Sequence, residues 1–286
     1  MQHSLDLNSF LLKPDLPHKA GEEHVKAWLA YKAGYYCGGD PDSSCEVRDF
    51  YTIMWGEFLN YTGFELRPKP RGFSRNPDKY VQGDWMCSVW TTVKYGLKQA
   101  YKKWFLKTED TFDVFLKNFD DFGEVFGDTH LQEFIRSAYT YANLIIVPDG
   151  FNSARYKPTQ DYWDRTLKKY YKKEEPLKYK GKDVSTPFRR LLDESKKQDD
   201  ALCLLPWADK DYNPFSFSNS VKTDWLAVMT EMTDRIDARR VQMQVRINKL
   251  MNSSASCSKL SDILVQHFSN LSFAPMPTTP ATTMPL

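Results

Sequence analysis

Residues 142–155 read ANLIIVPDGFNSAR. The run Ala142–Val147 is short, apolar and β-branched, and it stops at Pro148-Asp149-Gly150, so it reads as a buried strand ending in a turn. It is the best strand candidate in the chain. Around it the apolar residues recur every three or four positions, which is the period of a helix. The expected fold class is therefore mainly α: a single large helical domain with at most a small β-sheet or hairpin.

C-terminal to the strand, the pattern predicts helices over Thr159–Lys173 and Thr186–Lys197, with Pro187 at the start of the second. A loop around Pro206 and Pro214 covers Leu202–Ser220. The longest helix follows, Val221–Met251, with an apolar stripe of Trp225, Met229, Met232, Ile236, Met243, Ile247 and Leu250. Its arginines fall in the second half, where cations complement the helix dipole.

N-terminal to the strand, helices are expected at Asp128–Tyr141, at Thr111–Phe126 with an aromatic face, and at Trp85–Leu106, where Val89, Val93, Leu97, Tyr101 and Phe105 keep a spacing of four. Thr62–Asp84 is rich in proline and glycine and reads as a long irregular connection with a short strand or hairpin around Phe64–Leu66; such loops are often functional. Before it come a helix at Val47–Leu59, the turn Gly38–Ser44 (GGDPDSS) with Asp42, Ser43 or Ser44 as helix cap, and a helix at Glu22–Tyr35. The domain plan is an N-terminal arm at 1–23, the helical domain at 24–251 and a flexible tail at 252–286. Leu260, Ile263, Leu264 and Phe268 could line an amphipathic helix over 259–271, which either packs back on the domain or docks a protein partner.

The chain has 286 residues, enough to bury a core without disulfides or metal, and a formal net charge of only +2. That balance gives no whole-protein signal for a polyanion, so any basic patch is local. The five cysteines are scattered, odd in number and lack a CxxC pair, which fits free thiols in a reducing compartment. The N-terminus shows no basic segment leading into an apolar one, and no apolar run reaches the ~20 residues of a membrane span. The expectation is a cytoplasmic protein without a membrane contact. P-loop, dinucleotide, HExxH and GxSxG motifs are missing, and so is the Arg-x4-His pattern of helical toxin ribonucleases. No cofactor and no metal is expected.

Three constellations carry chemistry. In the first, Asn152 and Arg155 follow the strand in a turn that opens a helix, where backbone amides and a guanidinium fork can hold a phosphate or carboxylate; Asp164, Arg165, Lys168 and Lys169 extend this ligand-binding set. The plainer reading is an Asx-turn at Asn152 and an ion pair from Arg155 to Asp161 or Asp164. In the second, the basic segment Arg165–Lys182 interleaves Tyr170, Tyr171 and Tyr179, a mixture that can track a phosphate backbone and stack bases. Lys94, Lys98, Lys102, Lys103 and Lys107 form another basic stripe. Solvated helix faces explain both more simply. In the third, Asp128, His130 and Glu133 share a helical turn and suit proton transfer or a metal, or else a cap beside a surface histidine. Asp40 and Asp42 suit a cation, or a turn with a cap.

These residues also carry a resemblance. Gly39-Asp40-Pro41-Asp42-Ser43, Met54-Trp55, the strand ending at Pro148, Asn152-Ser153-Ala154-Arg155, Asp164-Arg165-Thr166-Leu167 with Tyr170-Tyr171, Leu205-Pro206-Trp207 and Ile236-Asp237-Ala238-Arg239-Arg240 resemble an uncharacterised bacterial family, a domain of unknown function with GxDPDS, NxAR and DRxxL motifs. It spans Gly38 to Ile247. Ser153 stands where the pattern has glycine, and Trp207 where it has phenylalanine. The resemblance implies the domain boundaries and the weight of the Asn152–Arg165 segment, and it brings no reaction. Three functions fit: a binding protein for an anionic ligand, a nucleotide or RNA; a helical nucleic-acid-processing toxin or phage-defence effector; and a protein-interaction or scaffold protein.

Overall fold

The computed structural model describes residues 6–12, 22–36, 39–68, 75–90, 92–93, 112–155, 162–217 and 224–253. Among them the chain is mainly helical, with two small sheets. The central strand of the larger sheet is β2 (Tyr80–Trp85). It runs parallel to the two-residue β1 (Glu65–Leu66) and antiparallel to β3 (Leu144–Pro148), with Asp84 opposite Ile145 and Val81 opposite Pro148. Every residue of β3 is buried, as the unbroken apolar run foretells.

Helices cover this sheet. α1 (Glu23–Ala33) ends at Gly34, whose φ of +89 suits a glycine C-cap. α2 (Cys45–Thr62) starts at Ser44, whose hydroxyl accepts the Val47 N–H at 3.1 Å. The predicted Thr111–Phe126 helix is broken into α3 (Phe112–Lys117), a 3-10 turn and α4 (Gly123–Phe126). Its phenylalanines pack inward as expected, Phe119 stacking on Phe126 at 5.0 Å. α5 (Thr129–Ala138) is capped by Asp128, which accepts the Leu131 N–H at 3.0 Å. After β3, α6 (Phe151–Ala154) is a single turn. α7 (Trp163–Thr166) widens into a π-helix over Leu167–Lys172, and the basic segment ends in a hairpin of β4 (Lys178–Tyr179) and β5 (Lys182–Asp183). α8 (Ser185–Lys197) packs on β3, and the long α9 (Trp225–Ser253) packs on α2, α5 and the turn Tyr141–Asn143.

Arg239 of α9 fastens the layers. It is fully buried, and its guanidinium donates to the carbonyls of Cys203 (2.9 Å), Leu202 (3.0 Å), Leu144 (2.7 Å) and Ala142. Burial lowers its pKa to about 10, so it stays charged at neutral pH. The loop after α8 is organised by Asp200, which accepts the Leu204 and Leu205 N–H groups, each at 2.9 Å, and the Tyr212 hydroxyl at 2.6 Å.

The sequence reading is corrected at β2. Tyr80–Trp85 is a strand, where an irregular connection and the start of a helix were expected; helix begins only at residue 89. The basic stripe Lys94–Lys107, the tail segment with Leu260, Ile263, Leu264 and Phe268, and Asp161 lie outside the described residues. Of the N-terminal arm, Leu7, Leu11 and Leu12 are buried, and the Leu11 N–H donates to the Tyr139 carbonyl at 2.8 Å. Cys45, Cys87 and Cys203 are free thiols. No helix of the described residues is long and apolar enough to cross a membrane.

Candidate functional site: a carboxylate-lined cavity

The turn after β3 sets the first side chains of the site. Gly150 has φ +93, the left-handed region that favours glycine, and a Cβ there would lie only 3.3 Å from the Tyr179 ring. α6 then brings Asn152 and Arg155 back toward the sheet. The Arg155 guanidinium turns inward: Nη2 donates to the Asp84 carboxylate and to Asn152 Oδ1 at 3.4 Å, and Nη1 donates to Thr166 Oγ1 at 3.3 Å. Its side chain is 1% exposed and that of Asp84 4%. The rings of Phe151 and Trp163 flank it, at 5.0 and 6.0 Å. Thus Asp84 of β2, Arg155 after α6 and Thr166 of α7 form one buried polar chain.

Asp84 and Asn152 open on a cavity of about 230 Å³. Tyr31 and Lys32 of α1 line it, with Asp40 of the GDPDS turn, Trp85, Cys87 and Ser88 after β2, and Tyr139 after α5. Asp40 is fixed where it stands: its carboxylate accepts the Asp42 N–H at 3.3 Å, the Trp85 indole N–H at 3.5 Å and the Tyr31 hydroxyl. Burial pushes the Asp84 pKa up to about 6; Arg155 and the Trp85 N–H oppose the rise, and the Asp40 charge adds to it. The phenols of Tyr31 and Tyr139 are pushed up by burial and then by neighbouring groups, Asp40 among them, so they are neutral donors at ordinary pH.

No family model, no curated protein and no solved structure matches this chain. The chemistry of the cavity is therefore read from its own atoms. Two carboxylates, one orientable amide, two phenols and an indole surround a space below the ~300 Å³ at which ordinary ligand pockets begin. It suits one small planar or hydroxylated group. An ionised carboxylate only accepts hydrogen bonds, so the group it takes presents N–H or O–H donors.

The sequence-selected residues divide. Asn152 lines the cavity, and Arg155 stands behind it, held by Asp84. Asp164 is buried in α7, and burial raises its pKa against the opposing effect of Arg165 and Arg235. Arg165 and Lys168 are exposed, Arg165 lying over the Tyr162 ring at 4.7 Å. Lys169 pairs with Glu175 at 3.3 Å. The structure does not bring these last three to the cavity. His130 and Glu133 border a separate cleft with Asp234 and Asp237, and Glu133 bonds to Arg136. Among the described residues no cluster of three or more metal-ligating side chains occurs.

Sequence reasoning missed Asp84, Tyr31, Trp85 and Tyr139. One signal was available. In YVQGDW a valine alternates with polar residues around a glycine, a strand pattern set against a neighbouring backbone.

Proposed function

We propose that the chain binds a nucleotide, free or as a unit of RNA, by taking a donor-bearing base edge into the Asp40–Asp84 cavity. One observation carries this reading: Asp84 is a buried carboxylate, oriented by Arg155, that opens on a base-sized space. The amino groups of adenine and cytosine, or the N1–H and amino group of guanine, would donate to it. Asn152 supplies an amide that both donates and accepts, and Trp85, Tyr31 and Tyr139 supply aromatic surface on which a base stacks. Lys32 adds a positive charge among the lining residues. Arg155 then acts as a positioning residue: its guanidinium is covered, so it holds Asp84 and does not meet the ligand's anion.

The test is a titration with adenosine, cytidine, guanosine and uridine and their monophosphates, read by tryptophan fluorescence and by melting temperature. Bases with donor edges are expected to stabilise the wild-type chain, uridine least, and Asp84→Asn is expected to fold and lose the response. If no nucleoside or nucleotide acts, or if Asp84→Asn responds as the wild type does, the reading fails.

A second reading rests on the same residue. A carboxyl group near 6 beside another carboxylate is suited to proton transfer, which favours a nucleic-acid-processing enzyme. Recovery of the bound nucleotide unchanged after long incubation supports binding alone. Turnover lost in Asp84→Asn, with a rate that titrates near the Asp84 value, supports the enzyme.

A further inference from the structure

A second polar cluster lies beside β2, built from residues near the ends of the three strands. Its centre is Asp149, whose side chain is fully covered. Asp149 Oδ1 accepts Arg75 Nη1 at 3.0 Å and faces Arg67 Nη1 at 3.4 Å, and Oδ2 accepts the Asn76 N–H at 3.2 Å. The two arginine side chains stay 29% and 27% exposed. The carboxylate thus lies between two guanidinium groups, each partly open to solvent.

From this arrangement we infer a phosphate-binding site formed by Arg67 and Arg75. Both arginines are held before any ligand arrives. Arg75 Nη1 also donates to Gln82 Oε1 at 3.1 Å, its guanidinium lies 4.8 Å from the Tyr179 ring centre, and its carbonyl accepts the Lys182 ammonium. The Arg67 carbonyl accepts Arg48 Nη1 at 2.8 Å. The bonds from Arg75 to Gln82 and Asp149 run through Nη1, which leaves the rest of its planar fork directed elsewhere. Such a fork matches two oxygens of a phosphate, and a fork already ordered loses little rotamer freedom on binding. Lys79 is engaged by Glu65 at 3.3 Å, so the arginines carry the site.

Its place indicates which phosphate. Gln82 and Asp84 project from one face of β2, two residues or about 7 Å apart. The same strand face therefore orients Arg75 through Gln82 and presents Asp84 to the base cavity. This makes the phosphoryl group of a nucleotide the fitting ligand. That choice of ligand rests on the cavity reading; the phosphate site itself does not.

The experiment is calorimetric titration of the full chain with inorganic pyrophosphate, with nucleotides and with unphosphorylated nucleosides. Pyrophosphate is expected to bind the wild type and Asp84→Asn alike. Arg75→Gln is expected to weaken it about tenfold, the effect of losing one charge-assisted hydrogen bond. Arg75→Lys, which keeps the charge beside Asp149 but loses the fork, covers the case in which Arg75→Gln does not fold, and it is expected to weaken pyrophosphate as well. Nucleotides are expected to bind more tightly than their nucleosides in the wild type, with the difference lost in the Arg75 variants. Absence of pyrophosphate binding, or equal binding by wild type and both Arg75 variants, overturns the site. Binding of pyrophosphate without any nucleoside response overturns the cavity reading and leaves the phosphate site standing.

Discussion

Asp84 is a group the fold holds more easily without its charge. Its folded-state pKa of about 6 lies above the ordinary 3.8. Between those values the folded chain holds a proton that the unfolded chain has released, so this residue's contribution to stability falls as pH rises from 3.8 through 6. At neutral pH the ionised carboxylate thus depends on Arg155 to offset the cost of its burial. Asp84→Asn removes the titrating group but leaves the Arg155 guanidinium buried without its anion, so it is expected to melt lower than the wild type at neutral pH and to flatten the pH dependence of melting across that window; equal slopes in both proteins would contradict the assignment. Loss of the partner is the complementary case. Arg155→Met leaves Asp84 buried near Asp40 without its cation, and the expected loss is on the order of 3–5 kcal/mol at neutral pH. Acid should restore part of that loss, and urea midpoints at two pH values measure it. At this scale the turn that carries Asn152 and Arg155 was legible, as a glycine-bounded break after a buried strand. Asp84 was not: it meets Arg155 across 71 residues of chain, and no local spacing encodes that contact.

The element that places Asp84 is β2, and β2 depends on a glycine. A Cβ on Gly83 would lie 2.0 Å from the Tyr51 hydroxyl oxygen and 2.6 Å from the Asp42 carbonyl oxygen. Tyr51 in turn donates to that carbonyl at 3.0 Å, so strand, α2 and the GDPDS turn meet at one point. Gly83→Ala is expected to lower stability by about 1–3 kcal/mol, as overpacking does. It should also weaken nucleoside binding, because the displaced turn carries Asp40; an unchanged melting temperature would refute the close approach. The helical reading of Trp85 erred for a related reason. A four-residue apolar spacing begins at Val89, and extending it backward ignored the strand pairing of Trp85 with Leu144. α9 was read within a few residues from its stripe alone, but the role of Arg239 was hidden, since an arginine late in a helix is usually a solvated cation. Arg239→Met would leave four buried carbonyls without their donor. The expected cost is about 3–5 kcal/mol, and Arg239→Lys should recover little, because an ammonium lacks the spread of the fork. Hydrogen exchange over Ala142–Leu144 and Leu202–Cys203 would report the loosening.

For the whole molecule, the question is how much of its basic surface a nucleic acid can use. The sequence offered a lysine-rich track over Arg165–Lys182 beside a net charge of +2. Folding spends much of that track on the protein itself: Lys169 pairs with Glu175, Lys172 donates to the Asp211 carbonyl at 2.6 Å, and Tyr179 lies between Gly150 and Arg75. The small sheet, in contrast, holds the Asp40–Asp84 cavity and the cluster of Arg67, Arg75 and Asp149 close to one another. Recognition of this form uses one or two phosphates, and affinity for single strands falls with salt by a slope of about −0.7 per phosphate neutralised. Raising salt fourfold should therefore weaken binding of a mononucleotide or a short RNA only about tenfold or less. The measurement is a dissociation constant for a monophosphate and for an oligoribonucleotide over a salt series. Shallow, nearly equal slopes are expected for the two. A much steeper slope for the oligonucleotide would mean that it follows an extended basic track, and the cavity would then not be the principal site of recognition.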